Sequence, residues 1–422
     1  MAHPQLVTPM RFPEVFTTLL LAALLPGIGL AAAPAWTARG GSPVAISADG
    51  GTVLSDGDVF TLYAAGGTQL WRGYGGSYAQ ARGYVYSPLA LTADGKYSVL
   101  GSGQGVLYVD RNQRVFWQDT DYHPVDDLSL SPDENYVASE ARGVVSVFTR
   151  GGDVLWRNET YPDILFVGIS TDGDLTVGAS RDTIHAFNRS GFELWNYTTP
   201  GIHGIRLFPS DSDIIASSDY TLVCLHPSGN LLWQFYTGDE IRDFAISRDG
   251  SSVAAGNQGG RLVLLDRDGN LIFSSQLPNW VNAVSLSGDG SLVGVGGIDR
   301  MVYLFDRNGQ MLSSDLTGSI VEGIALSADG SAMVASSDKV YYYDLRHPSA
   351  EPTTVPPAPV TTVTTPPTVP ETTPATPTPA ANVSENPTPE EIPGETPTTQ
   401  AGSGSLAVLA VGLGAFLMLK RE

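Results

Sequence analysis

The residues that could carry chemistry are few and far apart in this 422-residue sequence. No two histidines stand at the close spacing of a metal-binding pair, and there is no GxSxG elbow, phosphate-binding loop or HExxH motif. Cys224 is the only cysteine, so it can form neither an intramolecular disulfide nor a thiolate cluster for zinc, and we expect it to be buried in a strand. These observations predict no catalytic residues, no cofactor and no metal centre. The histidines left without a chemical role are His123, His185, His203, His226 and His347.

Two acidic turns have the composition of calcium-loop fragments, "DRDGN" from Asp266 to Asn270 and "DRNGQ" from Asp306 to Gln310. A complete calcium loop supplies six or more oxygen ligands, including a late bidentate acid. Ile272 and Phe273 stand where the first turn would need that acid. We therefore expect both segments to be hairpin turns that need no ion, while a calcium ion held in one turn stays an open alternative.

A repeated segment occupies most of the sequence and occurs eight times, as in "FAISRDGSSVAA" and "IALSADGSAMVA". Its apolar residues alternate or run in short blocks around tight Asp-Gly turns, which is typical of short antiparallel strands. A period near 40 residues with several strands per unit predicts an all-β fold, an eight-bladed β-propeller with four strands, a to d, in each blade. The acids that mark the repeats are Asp49, Asp94, Asp133, Asp172, Asp211, Asp249, Asp289 and Asp329.

Tryptophan marks the outer strand of five repeats, 22 or 23 residues after the marker acid. A large ring at this position is expected to pack between adjacent blades, where its burial contributes about 2 to 3 kcal/mol. The eighth repeat ends at "KVYYYDLRHPSAEP" without an outer strand. The segment around Trp36 is therefore predicted to supply that strand and to close the ring. The predicted docking residues are Trp36, Trp71, Trp117, Trp156, Trp195 and Trp233.

These residues give the repeat a resemblance to two propeller families. The stretch from Ser247 to Asp266 is similar to WD40-type repeats, although the Gly-His and Trp-Asp dipeptides of that family are absent. The step of four from Gly152 to Trp156 resembles the tryptophan-docking repeat of pyrroloquinoline-quinone-type eight-bladed propellers. The second resemblance implies a possible quinone-dependent dehydrogenase with calcium in its axial funnel. Those enzymes are far longer, carry large inserted loops and often have paired cysteines, so we do not expect that activity here.

The loops that depart from the repeat are the candidate binding site, because ring geometry constrains the strands more than the loops. The first spacing between marker acids is 45 residues, and the excess lies in "RGYGGSYAQARGYVYSP". Tyr with Gly and Ser is a composition of adaptable binding loops. Propeller geometry places these loops on one rim with the segment "LPNWVN". The predicted partner-binding residues are Tyr74, Tyr78, Arg82, Tyr84, Tyr86 and Trp280, and solvated loops without a partner are the alternative.

The two ends of the chain differ from the repeats in composition. Residues 1–35 contain Arg11, an apolar run and small residues before Trp36, which is typical of a secretory signal peptide. Residues 36–348 are the predicted propeller, and residues 349–404 are a Thr/Pro-rich stalk that cannot build a core and is predicted to be disordered. Residues 405–422 are an apolar segment that ends in Lys420 and Arg421, predicted to be either a membrane helix or a sorting tail.

Charge and organisation together favour a cell-surface protein. The 44 acidic and 23 basic residues give a net charge of -21, which argues against nucleic acid as a partner. We expect a non-catalytic propeller, anchored through its C-terminal segment, that binds a protein or glycan, mediates adhesion or acts as an envelope scaffold. The alternative is an extracellular enzyme, a quinoprotein-like oxidoreductase or a lyase, that uses the axial funnel. Export would make four sequence triplets candidate glycosylation sites, at Asn158, Asn188, Asn196 and Asn382.

Overall fold

The computed structural model describes residues 30–31, 33–74, 88–103, 105–119, 124–159, 161, 163–347 and 361–362. All regular secondary structure in these ranges is β, and the strands form eight sheets, each built on three or four antiparallel strands that follow each other in the chain. The predicted all-β class and the eight-bladed propeller are therefore confirmed. The described residues include no helix long and apolar enough to cross a membrane, and the predicted segment at residues 405–422 lies outside them.

Two short strands precede the first complete blade, and blades 1 to 4 then follow in chain order, each with its strand a innermost. The strands are β1 (Leu30–Ala31) and β2 (Trp36–Ala38), then β3 (Val44–Ile46), β4 (Thr52–Ser55), β5 (Phe60–Ala64) and β6 (Gln69–Gly73) in blade 1, β7 (Leu89–Leu91), β8 (Tyr97–Ser102), β9 (Gly105–Asp110) and β10 (Val115–Gln118) in blade 2, β11 (Asp127–Leu130), β12 (Tyr136–Ala141), β13 (Val144–Thr149) and β14 (Val154–Asn158) in blade 3, and β15 (Phe166–Ile169), β16 (Leu175–Ala179), β17 (Thr183–Asn188) and β18 (Glu193–Thr198) in blade 4.

Blades 5 to 7 repeat this order, whereas blade 8 has three strands from the C-terminal part of the repeat region and takes its fourth from the N-terminal segment. The strands are β19 (Ile202–Leu207), β20 (Ile214–Ser218), β21 (Thr221–Leu225) and β22 (Leu231–Tyr236) in blade 5, β23 (Ile241–Ile246), β24 (Ser252–Asn257), β25 (Arg261–Asp266) and β26 (Leu271–Gln276) in blade 6, β27 (Val281–Leu286), β28 (Leu292–Gly297), β29 (Met301–Asp306) and β30 (Met311–Leu316) in blade 7, β31 (Gly323–Leu326), β32 (Ala332–Ser336) and β33 (Val340–Asp344) in blade 8, and β34 (Thr361–Thr362).

The marker acids stabilise the turn between strands a and b. In blade 6, Ser247 Oγ donates to Asp249 Oδ1 at 2.6 Å and accepts the N–H of Ser252 at 3.0 Å. Gly250 follows at a φ of 71°, a left-handed conformation that favours glycine. The same side-chain pair recurs at Ser47 and Asp49, Thr92 and Asp94, Ser131 and Asp133, Ser170 and Asp172, Ser287 and Asp289, and Ser327 and Asp329.

The core lies between the blades, because each sheet has two apolar faces that only its neighbours can cover. Between blades 6 and 7, Leu264 and Phe273 pack in one cluster with Val293, Val295 and Phe305, and all five side chains are buried. Comparable clusters join the other blades around the ring. Stability therefore depends on contacts between neighbouring sheets.

The ring closes through the N-terminal strand. β2 pairs antiparallel with β33, with Trp36 opposite Tyr342, so the segment predicted to supply the missing strand does so. Blade 8 also contacts blade 1 through the N–H of Asp329, which donates to Ala48 O at 3.0 Å, and through the hydroxyl of Tyr342, which donates to Gly50 O at 3.0 Å. Both ends of the repeat region are thus held in one sheet.

Two further strands extend the outer edges of blades 6 and 7. β1 pairs parallel with Ser313 and Ser314 of β30, and β34 pairs antiparallel with Ser275 and Gln276 of β26. β1 lies within the predicted signal peptide and β34 within the predicted stalk. The other residues of the stalk lie outside the described ranges, as do residues 1–29.

Candidate functional site

The predicted docking residues lie between blades, as rings packed on the strand c to strand d turn of the following blade. Trp117 is an example: its Nε1 donates to Arg150 O at 3.0 Å, and a Cβ built on Gly152 would lie 2.5 Å from the indole. Gly152 has a φ of 91°, so the turn and the close approach both require glycine. Equivalent ring-on-glycine contacts are made by Trp36 on Gly67, Trp156 on Gly191, Trp195 on Gly229, Trp233 on Gly269 and Phe273 on Gly309.

Trp71 is the exception in this set. The corresponding turn of blade 2 has Gln113 in place of glycine, at a φ of 68°. The buried Nε1 of Trp71 has no hydrogen-bond partner among the described residues. Tyr74 packs edge-on against Trp71, with ring centroids 6.1 Å apart, and its hydroxyl donates to Gln113 O at 3.0 Å. Tyr74 therefore joins blades 1 and 2 and is half-buried.

An axial channel runs between the innermost strands and encloses a cavity of about 770 Å³. Most of its wall is aliphatic or made of small residues, which favours apolar contents. Charged side chains interrupt the wall at Asp126, Asp127, Glu134, Arg206 and Arg248. The wall residues that immediately precede the turn between strands a and b are Ile46, Leu91, Leu130, Ile246, Leu286 and Leu326.

Two carboxylates of strand a accept hydrogen bonds from strand a of the next blade. Asp127 Oδ2 accepts the N–H of Val167 in the next blade at 2.9 Å, and Asp243 Oδ2 accepts that of Val284 at 2.8 Å. Burial raises the pKa of Asp127 to about 6, even though the Val167 N–H and the charge of Arg206 act to lower it. Burial also raises the pKa of Asp243. These acids join neighbouring blades, which is a structural role.

The described histidines and acidic turns do not come together into a metal site. His185 Nδ1 lies 2.9 Å from Glu193 Oε1, and His203 Nε2 lies 3.4 Å from Asp219 Oδ1. Asp266 Oδ1 accepts two N–H groups of its own turn, as expected for a hairpin. Across the described ranges no group of three or more His, Cys, Asp or Glu residues could hold a metal ion. His123 lies outside those ranges.

Several exposed apolar side chains lie on the loops at one rim of blades 5 to 8. Tyr220 is 48% exposed in the turn between strands b and c of blade 5, and its ring lies 6.5 Å from that of Tyr236. Trp280 is 40% exposed and Ile320 is 43% exposed, at equivalent positions before strand a of blades 7 and 8. Together with Leu316, which ends β30, these residues define the apolar rim patch.

Hydrogen bonds hold the loops of this rim together. Thr237 Oγ1 donates to Tyr220 O at 2.9 Å and also lies 2.8 Å from Asp239 O. Thr237 therefore joins the turn between strands b and c of blade 5 to the loop that follows strand d. Thr317 repeats this arrangement with Arg300 O and Ser319 O, at 2.8 and 2.7 Å. Side chains carried by these loops are therefore presented by an ordered backbone. Such preorganisation lowers the entropy lost on binding.

The structure does not bring the two described members of the predicted binding set together. Trp280 lies on the loop between blades 6 and 7, whereas Tyr74 follows the outer strand of blade 1. Tyr78, Arg82, Tyr84 and Tyr86 lie outside the described residues. Sequence reasoning missed Tyr220, Tyr236 and Ile320. An alignment of the repeats could have found Ile320, because it occupies the position of Trp280.

Three of the predicted glycosylation acceptors are described, and they differ in hydrogen bonding. Asn158 Nδ2 donates to Gly191 O, and Asn196 Nδ2 donates to Glu193 Oε1, both at 3.3 Å. Asn188 instead uses Oδ1 as an acceptor for its own turn. Asn382 lies outside the described residues.

The repeats and the eight sheets, joined in a closed ring, together define an eight-bladed β-propeller. Residues 141–346 match a family model described as outer membrane protein assembly factor BamB. Among solved structures, the C-terminal WD40 domain of Sif2 is similar with a TM-score of 0.64 and 15% identity, covering 76% of this chain and 99% of that domain. At this identity the likeness shows the fold alone. No curated protein matches the chain.

Proposed function

We propose that this protein is a non-catalytic propeller displayed on the cell surface, which binds a protein or glycan partner through the apolar rim patch. The observation that carries the proposal is the exposure of Trp280 and Ile320 on loops held by hydrogen bonds. Thr317 holds the loop of Ile320, and the bond from the N–H of Ile298 to Trp280 O holds that of Trp280. Exposed aromatic and aliphatic groups on an ordered surface are typical of interaction sites. Adhesion and envelope scaffolding are forms of the same binding function.

The location rests on the sequence patterns at the two ends. A signal peptide, a Thr/Pro-rich stalk and an apolar C-terminal segment would export the propeller and hold it away from the membrane. The matched family model takes its description from an outer-membrane assembly factor, which supports a place in the cell envelope. The net charge of -21 favours a partner other than nucleic acid.

The test is partner capture by the full chain and its rim variant. Immobilised wild type and the double variant Trp280→Ala with Ile320→Ala are exposed to the envelope proteins and glycans of the source cell. Removing anchors of this kind typically costs at least 1 to 2 kcal/mol, so captured material should fall by about tenfold. Melting temperature should stay nearly unchanged, because both side chains are partly exposed.

A matched control uses Leu155→Ala with Leu194→Ala. These leucines are 39% and 48% exposed, on the outer strands of blades 3 and 4, away from the rim. The control variant should retain full capture. Equal capture by the rim variant and wild type would contradict the assignment of the binding surface.

A channel enzyme is the second candidate, favoured by the cavity and by the raised pKa of Asp127. A carboxyl group with a pKa of about 6 can exchange a proton near neutral pH, and Asp127 lines that cavity. A screen of oxidoreductase and lyase substrates tests this candidate. Turnover that disappears in Asp127→Asn while the melting temperature stays near that of wild type would support it, whereas no turnover together with rim-dependent capture supports the binding function.

A further inference from the structure

One turn of blade 4 departs from the other repeats at two positions. The segment Asn188 to Phe192 joins strands c and d with the sequence "NRSGF". It combines a glycosylation triplet with an aromatic residue where the other six turns of this kind have a polar side chain. The polar residues at the position of Phe192 are Thr68, Arg114, Asp153, Asn230, Asn270 and Gln310.

Phe192 is the most exposed large apolar side chain among the described residues, at 72%. Its backbone N–H donates to Asn188 Oδ1 at 3.1 Å, so the exposed ring follows the acceptor asparagine within one tight turn. Fold stability gives no reason for an aromatic residue here, since polar residues serve the same turn elsewhere. A covering group attached at the turn would account for it.

The asparagine amide nitrogen is not needed to build the turn. Asn188 Oδ1 accepts the N–H of Ser190 at 2.9 Å as well as that of Phe192. In blade 7 a carboxylate does the same work, because Asp306 Oδ1 accepts the N–H groups of Asn308 and Gln310 at 2.9 and 2.8 Å. Asn188 Nδ2 donates no hydrogen bond to any described residue, unlike the amide nitrogens of the other two described acceptors.

We propose that Asn188 carries an N-linked glycan whose first sugar packs against the ring of Phe192. The inference rests on the export that the proposed function includes. In the transfer, Asn188 Nδ2 forms a bond to the anomeric carbon of a lipid-linked saccharide phosphate. The bond from that carbon to the phosphate oxygen breaks, the lipid phosphate leaves with the electron pair, and one Nδ2 proton is lost to the transferase. The apolar face of the sugar then covers the exposed aromatic face.

The experiment expresses the full chain in a host that exports and N-glycosylates proteins, together with a reporter glycoprotein. Peptide mass spectrometry measures occupancy at each triplet. We expect Asn188 to be occupied and Asn158 and Asn196 to be bare, and Ser190→Ala to abolish the modification. The matched control combines Ser190→Ala with Asp306→Asn and Asn308→Ser, which removes the blade 4 triplet and rebuilds the same turn in blade 7 as "NRSGQ", so that only the aromatic residue is lacking.

Sugar packing is read from melting temperature. Enzymatic removal of the glycan should lower the melting temperature of wild type measurably, and should change that of Phe192→Ala or of the blade 7 control much less. Three outcomes overturn this inference but leave the proposed function standing. The first is secreted protein in which Asn188 is bare while the reporter is glycosylated. The others are glycan on Asn158 or Asn196, and an equal loss of melting temperature in Phe192→Ala. A chain retained in the cell overturns the export part of the proposed function, and the inference fails with it.

Discussion

Replacing Trp36 with alanine tests whether the N-terminal strand closes the propeller. The indole of Trp36 stacks on Tyr342 with ring centroids 5.0 Å apart and planes 7° apart, and lies 5.7 Å from the ring of Tyr63. Its Nε1 donates to Ala65 O in blade 1 at 2.6 Å. One side chain therefore joins the first and last blades, so its removal weakens the closing contact.

The expected loss can be estimated from these contacts. Trp36 is half-buried, so the lost apolar burial and ring stacking contribute about 2 kcal/mol. The hydrogen bond to Ala65 contributes about 1 kcal/mol more. The free energy of unfolding should therefore fall by about 3 kcal/mol. For a propeller of about 310 residues, that corresponds to a decrease in melting temperature of about 4 to 5 °C.

Thermal unfolding of Trp36→Ala and Trp233→Ala separates closure from ordinary docking. Trp233 makes the same contact, with Nε1 donating to Arg267 O at 2.9 Å, but its strand is continuous with the rest of blade 5. Both variants should lose similar stability. Only Trp36→Ala should release the N-terminal segment, seen as faster proteolysis near Ala38 under native conditions.

The outcome that contradicts this reasoning is a Trp36→Ala protein that unfolds within about 1 kcal/mol of wild type, with no new cleavage. That result would mean that the β2 pairing contributes little and that contacts such as Tyr342 with Gly50 close the ring alone.

Three further predictions concern packing, acid stability and thiol reactivity. Gly152→Ala should destabilise by at least about 2 kcal/mol in denaturant melts, because its Cβ would clash with Trp117 at a φ of 91°. Burial alone would raise the pKa of Asp94, but hydrogen bonds from Lys96 outweigh it and lower the pKa to about 2. The contribution of this acid to stability should therefore be complete above pH 4 and lost as pH falls toward 2. Calorimetry across that pH range checks this prediction, because the stability of Asp94→Asn should fall less than that of wild type. Burial raises the pKa of the Cys224 thiol to about 12, so a thiol reagent at pH 8 should label the protein only after unfolding.

Much of the architecture could be predicted because each blade repeats the same local chemistry. Asp249 marks the turn between strands a and b through a side-chain pair that sequence spacing reveals. The missing outer strand of the eighth repeat likewise identified Trp36 as its replacement. Departures within a repeat were harder to interpret, because their effect depends on the neighbouring blade. Gln113 replaces a docking glycine, and only the structure shows that Trp71 then lacks a partner for Nε1.

The proposed binding surface was less predictable, because exposure depends on how two loops meet. Composition singled out Tyr74, yet the structure places its hydroxyl on Gln113 O and its ring against Trp71. Tyr220 lies in a short turn of ordinary composition, and only the fold shows its ring beside that of Tyr236. A loop rich in tyrosine is therefore weaker evidence for binding than apolar residues at positions where the repeat has no structural need of them.

That criterion connects the rim patch with the blade 4 turn. Trp280 and Ile320 occupy the rim position that Glu240 fills in blade 6, and the strand that follows has the same register in all three blades from Asp243, Ala283 and Gly323 onward. Phe192 stands where the other repeats have polar residues, on the turn between strands c and d. Because each repeat provides an internal control for what the fold requires, we propose that the exposed apolar residues at these positions contact something beyond the ring.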